Sequence, residues 1–391
     1  MPTKRWTLVD AEHDQYLEQL DVSPADVGGK AKGYKVIKRR LRGGTREGVD
    51  AVEIDNGTFR FVVLLTRGLG LWRAWLGDLQ LGWRSPVRGP VHPNWVPIAE
   101  SSGLGWLDGF DELMCRCGLE SNGAPEFDPQ GKLLWPLHGR VANLPAHRVE
   151  LEIDGDTGEI ALIGTVDEAR FHFQKLRLTT EYRTKPGERG VRWTDTVTNH
   201  SGLPGEVELL YHVNFGPPLL DAGARVVLPA KQVVPRDARA AEGIARWDHY
   251  GADEPGYAEQ VYYFELAGDD QGRTQTLLRN AHGSQGVSLH FNTRELPRFT
   301  LWKDTAAAAD GYVTGLEPGV NFPNVRSFEK AQQRVVVLPP GGKRTFTVAL
   351  EAHGTAEQVA AAEKAVAALT GGKPPVVHDK PQKGWSPAGS A

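Results

Sequence analysis

Three short segments of this chain place a titratable side chain beside glycine, where the backbone lets a ligand approach closely. They are Leu137-His138-Gly139-Arg140, Tyr211-His212-Val213-Asn214-Phe215-Gly216 and Gly315-Leu316-Glu317-Pro318-Gly319-Val320-Asn321. Together they hold what paired proton transfer needs. A carboxyl of ordinary pKa about 4.3 and imidazoles of about 6.5 can both be tuned toward neutrality, and Arg140 adds a rigid, permanently charged fork suited to ligand oxygens. Such a pair can take a proton from one substrate atom and return one to another with no nucleophile, metal or cofactor. Plainer readings fit the same residues. His212 also reads as a hydrogen-bonded core histidine, Arg140 as a turn residue in a surface ion pair, and Glu317 as a strand-end carboxylate paired with a neighbour such as Arg326. His138, His212 and Glu317 also make up the two-histidine, one-carboxylate set of some metal sites, although nothing in their spacing requires them to converge.

Further candidates surround these. Thr66-Arg67-Gly68-Leu69-Gly70-Leu71-Trp72 and Ser85-Pro86-Val87-Arg88-Gly89-Pro90-Val91-His92-Pro93 are polar and glycine-broken, and offer Arg67 and His92 to a second wall of a cleft. Trp302-Lys303-Asp304 offers an aromatic face and a polar rim. The chain holds 11 tryptophans, and Trp72, Trp75, Trp83, Trp95, Trp106 and Trp135 sit in loop-like surroundings. Flat aromatics on loops suit ligands with apolar faces and polar edges, sugars above all; core packing accounts for them equally well.

The elements that must position these residues are strands. Alternating apolar and polar runs divided by Gly, Asn, Asp and Pro turns dominate from about residue 48 to 352. Hairpins are expected around Asp55-Asn56-Gly57, Asp154 to Gly158 and Lys185-Pro186-Gly187, with His212 near the point where a strand leaves its sheet. Later strands are expected at Gln260 to Leu266, Thr276 to Leu278, Val287 to Phe291, Arg298 to Lys303, Arg334 to Leu338 and Arg344 to Leu350. So many strands without intervening helices imply an all-β fold of antiparallel sheets packed face to face. The division expected is an arm over residues 1–47 with a short helix around Ala11 to Leu20, a carbohydrate-binding sandwich over 48–352, and a region over 353–391 made of a helix from Thr355 to Leu369 and a disordered tail from Thr370 to Ala391.

Bulk properties narrow the partners. The 45 basic and 49 acidic residues leave a net charge of −4 with both signs intermixed, which argues against nucleic acid. The basic run Lys35 to Arg42 reads as a solvated edge strand or helix end. No segment approaches the roughly 18 apolar residues of a membrane span, and the N-terminus shows no hydrophobic signal core. Cys115 and Cys117, one residue apart, suit neither a disulfide scaffold nor a Cys-x-x-Cys site. A soluble, cytoplasmic monomer or homodimer with buried free thiols, acting on a small molecule, is the expectation.

On the order His138-Gly139-Arg140, His212 before Asn214-Phe215, and Gly315-Leu316-Glu317-Pro318-Gly319, the chain resembles the aldose 1-epimerase, or galactose mutarotase-like, superfamily over about residues 48–352. That resemblance implies a large antiparallel supersandwich with a cleft on one sheet and an isomerase that needs no cofactor. It assigns the base on the anomeric hydroxyl to Glu317 and the acid on the ring oxygen to His212, with His138 and Arg140 holding sugar oxygens. Two departures stand out: Asn214 takes the place of a tyrosine, and Arg140 that of a glycine. Sugar-phosphate epimerase relatives carry an arginine near the latter position, which implies a phosphorylated or otherwise anionic sugar.

Overall fold

The structure, a computed structural model, describes residues 3–390. Two antiparallel sheets of ten and fourteen strands lie against each other, and their facing residues form one continuous apolar core. All three expected hairpins are present. Asp50–Asp55 pairs with Phe59–Leu64, Arg148–Asp154 with Ile160–Ala169, and Lys175–Thr184 with Gly190–Asn199. The Asp55-Asn56-Gly57 turn closes as its sequence demands, with the Asn56 side chain accepting from the Thr58 and Phe59 amides and Gly57 at a positive φ.

Within the fourteen-stranded sheet, five adjacent strands carry the cleft. Their order is Gln260–Leu266, Arg298–Asp304, Val313–Gly319, Gly205–Phe215 and Met114–Leu119. The strand Gly205–Phe215 is buried on both faces. Its odd positions Leu209, Tyr211, Val213 and Phe215 enter the core between the sheets, and the period of two sends Leu210, His212 and Asn214 to the other side. There Leu210 joins Cys115, Cys117, Trp106 and Phe110 in a second apolar cluster beneath the loops. Cys115 and Cys117 are buried free thiols.

The back of this strand is tied to the opposite sheet. Asp195 accepts from Arg116 at 2.5 and 3.0 Å, from Tyr211 Oη at 2.9 Å and from Thr180 Oγ1 at 2.7 Å, all fully buried. Arg116 also donates to the Gly68 and Leu69 carbonyls. A buried ion pair with its remaining donors and acceptors filled tolerates desolvation, and it holds the residue next to His212 rigidly in place.

Both chain ends differ from the sequence expectation. From residue 3 the expected arm contributes strands to the sandwich: Thr3–Asp10 pairs with Arg148–Asp154, and Leu20–Val22 and Lys35–Arg40 extend the larger sheet. The helix expected around Ala11 to Leu20 gives way to a tight hairpin in which Asp10 accepts from the Glu12 and His13 amides and Gln15–Tyr16 pairs back on Val9 and Asp10. Near the other end, the helix Ala356–Thr370 starts at Thr355, whose Oγ1 accepts from the Gln358 amide, and packs Val359, Ala362 and Val366 onto Leu277 of the smaller sheet. The segment after it is packed where disorder was expected. Val376–Val377 runs parallel to Ala230–Pro235, and Trp385 stacks on Phe322 at 5.3 Å. Its many Gly, Pro and Lys residues gave no hint of those two anchors.

Candidate functional site

His212 and Glu317 meet because of strand register. Leu210 pairs with Gly319 and Val213 with Leu316, which sets His212 opposite Glu317. Thr300 is the partner of Glu317 on its other side, and Cys115 that of His212. Gly315 makes the room: a β-carbon there would lie 2.5 Å from Glu317 Oε1 and 3.1 Å from the His212 ring. His212 Nε2 stands 3.2 Å from Glu317 Oε1. The two atoms are at hydrogen-bond distance but out of line, so this buried carboxyl oxygen is left without a hydrogen-bond partner among the described residues. Thr300 Oγ1 is buried and unpartnered beside it.

Asn214 fixes the tautomer of His212. Its amide nitrogen donates to the Glu112 carbonyl at 3.0 Å and to the His212 carbonyl at 3.2 Å, which orients its Oδ1 as an acceptor, 2.6 Å from His212 Nδ1. The Nδ1 proton is therefore committed, and Nε2 is the nitrogen left facing Glu317. Burial pushes the Glu317 carboxyl well above its usual range, with Glu259 adding to the rise. Burial, assisted by His138, lowers His212 to about 3. Both shifts favour the uncharged forms of the pair, a protonated carboxyl and a neutral imidazole.

A cavity of about 300 Å³ opens over this pair, at the small end of ligand pockets. Trp106, Phe110 and Trp302 form aromatic walls around the imidazole, with Phe110 and Trp302 meeting it edge-on at 5.2 and 5.4 Å. His138 lines the cavity too, 5.3 Å from His212 between ring centres. Its Nδ1 donates to the Asn122 carbonyl at 2.8 Å, and burial lowers it to about 4, so it presents a bare Nε2. Arg236 and Glu259 complete the rim. Glu259 accepts from Trp302 Nε1 at 2.7 Å and from Arg236 at 2.9 Å, while Arg236 also pairs with Asp237.

Of the residues singled out from sequence, Glu317, His212, His138 and Trp302 come together in this cavity. Asn214 stands directly behind His212. Glu317 does not pair with Arg326, whose carboxylate partner is Glu206. Three candidates lie elsewhere. Arg67 is an internal strut: each of its three guanidinium nitrogens donates inside the protein, to Glu112, Asn143 and the Val91 and Gly109 carbonyls. His92 caps the turn Pro93–Trp95 by accepting from the Asn94 amide. Arg140 faces Glu120 and Glu168 at 3.5 and 3.7 Å, because Gly139 packs its backbone against Gly118 and Ser121 and the turn sends its two flanking side chains apart. The implication of an anionic sugar held by Arg140 lapses with that placement. Thr300, Arg236 and Glu259 were not legible as site residues, although Thr300 shares a strand face with Trp302 and that spacing was available. No group of three or more His, Cys, Asp or Glu side chains arranged to hold a metal occurs among the described residues.

Residues 46–352 match the family described as a domain of unknown function, DUF4432. The chain belongs to that family. A crystal structure from Klebsiella pneumoniae subsp. pneumoniae, named as a candidate aldose 1-epimerase, is 32% identical and covers 97% of this chain and 99% of its own, with a TM-score of 0.94. More distant folds agree. A galactose 1-epimerase from Lactobacillus acidophilus covers 82% of this chain and 99% of its own at 12% identity and a TM-score of 0.54. A galactose mutarotase-like protein from Clostridium acetobutylicum covers 82% and 98% at 12% identity and 0.55. The fold is thus the galactose mutarotase-like sandwich. No curated protein matches the chain in sequence. No helix among the described residues is long and apolar enough to cross a membrane.

Proposed function

We propose that this DUF4432 member is a cofactor-free aldose 1-epimerase that interconverts the anomers of a sugar. The observation that supports it best is the buried, unpartnered Oε1 of Glu317, 3.2 Å from His212 Nε2 beneath an aromatic cavity that Glu317 itself lines. Sugar hydroxyls donating to the Glu317 carboxyl stabilise its carboxylate form and move the carboxyl proton onto Nε2. Glu317 then takes the proton of the anomeric hydroxyl while His212 gives one to the ring oxygen. The bond from the anomeric carbon to the ring oxygen breaks, a carbonyl forms at the anomeric carbon, and the pair again carries a single proton. Rotation about the adjacent carbon–carbon bond presents the other carbonyl face, and the same transfers in reverse close the ring. Trp106, Phe110 and Trp302 exclude water and offer faces to the sugar, with His138 Nε2 and Thr300 Oγ1 as further hydroxyl partners.

Exchange NMR or polarimetry on a panel of free aldoses tests this directly. Wild type should speed interconversion of at least one, and Glu317→Gln should lose about 10²- to 10⁴-fold. Saturable sugar binding without acceleration that depends on Glu317 would reduce the protein to a carbohydrate-binding module.

A further inference from the structure

The reaction cavity does not end at its aromatic wall. Leu107, Phe110 and Trp302 are shared with a second hollow of about 200 Å³, and Trp83, Ser85, Pro86 and Val87 of that hollow are shared in turn with a groove of about 350 Å³. The far groove is lined by Arg73, Arg84 and Arg88. Among the described residues none of these guanidinium groups pairs with a carboxylate or donates to a protein acceptor; only Arg73 rests on a ring, that of Trp72. Arg73 stands on the strand Gly70–Leu76, and the loop that carries Arg84 and Arg88 is built rather than loose. Ser85 Oγ donates to the Phe110 carbonyl at 2.7 Å and accepts from the Val87 amide at 3.0 Å, and Thr45 donates to the Arg88 carbonyl. Gly89 lies against Asp111 so closely that a β-carbon would stand 2.2 Å from its carboxyl.

Asp111 supplies a second, independent sign of a ligand. It lines the same groove at 6% exposure; Oδ2 accepts from Trp72 Nε1 at 3.0 Å, while Oδ1 is buried with no partner. Burial and the neighbouring Glu112 push this carboxyl up to about 7, so near neutrality it repels an anion weakly and still takes or gives a hydrogen bond to a hydroxyl. A ligand with an oxyanion and hydroxyls answers both features, and fork-shaped guanidinium groups bind oxyanions through paired charge-assisted bonds. The hollow between carries Asp304 and Asp310, which disfavour an anion there and place the ligand's charge beyond them.

We propose that the Arg73, Arg84 and Arg88 groove is a second saccharide subsite, taking the acidic unit of a reducing oligosaccharide whose uncharged end lies between His212 and Glu317. The placement of the reducing end rests on the epimerase reading; the groove itself does not. Matched probes with one common reducing end separate the possibilities: lactose, sialyllactose, and lactose sulfated on its galactose. Binding is followed by titration and anomer exchange by NMR. The acidic probes should be favoured over lactose by about tenfold or more, a difference of about 1.4 kcal/mol, and the Arg84→Ala/Arg88→Ala double variant should reduce that preference to within about twofold. Arg170→Ala, on a distant loop, should keep it. Preference for the sialyl compound alone assigns a carboxylate to the groove, and for the sulfated one alone a sulfate; either supports the proposal. Equal behaviour of acidic and neutral probes, including no binding of any, overturns it, as does a preference that survives the double variant. If acidic probes bind through the arginines and their anomers exchange no faster than in buffer, the groove stands and the epimerase reading falls. If anomers exchange without acidic preference, the reverse holds.

Discussion

Replacing Asn214 with alanine removes the group that commits the His212 Nδ1 proton, and its cost can be worked from the contacts. The lost bond is 2.6 Å long and becomes charge-assisted whenever His212 carries a proton. Bonds of that kind contribute about 1.5 to 3 kcal/mol, which at about 1.36 kcal/mol per decade is roughly a 10- to 150-fold loss in kcat. The loss belongs in kcat rather than KM, because Asn214 is fully buried behind the imidazole and is not among the residues that line the cavity. Folding suffers separately. The Glu112 and His212 carbonyls lose their donor, at about 1 to 3 kcal/mol. Three measurements check this: anomer exchange at saturating sugar, the thermal midpoint, and the nitrogen chemical shifts of the His212 ring, which report the tautomer. If the shifts show a changed tautomer in a folded variant while kcat stays within about twofold of wild type, the tautomer has no catalytic role and the reasoning is wrong.

Two further outcomes follow from groups behind and within the cavity. Asp195→Ala strands the Arg116 guanidinium and the Tyr211 hydroxyl in the core, so urea titration should show a loss of about 3 to 5 kcal/mol; an effect below about 1 kcal/mol would mean the sheets relax around the charge. His212 has a folded pKa near 3 against an ordinary 6.5. The unfolded chain therefore takes up a proton first as pH falls, and the contribution of this residue is fully present above about 6.5 and lost progressively down to about 3. Between pH 6 and 4 the slope of stability against pH should be shallower in His212→Gln than in wild type by about 1.4 kcal/mol per unit, and identical slopes would contradict a buried neutral imidazole. Activity profiles carry different information. Because Glu317 and His212 share a proton, any pKa seen in the rate belongs to the pair and does not reveal which member starts as the acid.

The strands were legible because each half-buried segment alternates and each turn carries residues that fit its backbone. The meeting of His212 and Glu317 was legible for a related reason. His212 and Glu317 lie about a hundred residues apart, but each sits on a strand beside glycine, and antiparallel register does the rest. Arginines were misread because a guanidinium flanked by glycine looks the same whether it faces a ligand or a buried carboxylate. Arg67 is consumed by Glu112 and Asn143, partners 45 and 76 residues away that no local pattern announces. Arg140 failed for a different reason, since a turn shows which residues are near one another and not which side each faces. The last segment was misread because composition alone speaks for it, and composition does not register Trp385 finding Phe322.

That last segment bears on what holds the mouth of the cavity. The family match ends at residue 352, yet Ser386 Oγ donates to the Arg236 carbonyl at 2.6 Å, and the Trp385 carbonyl and the Asn324 side chain are joined next to the cleft. One side of the cavity mouth is therefore held by residues outside the matched sandwich, while His212 and Glu317 lie wholly inside it. A change in the C-terminal segment would therefore alter the setting of Arg236 and leave untouched the strands that align His212 with Glu317.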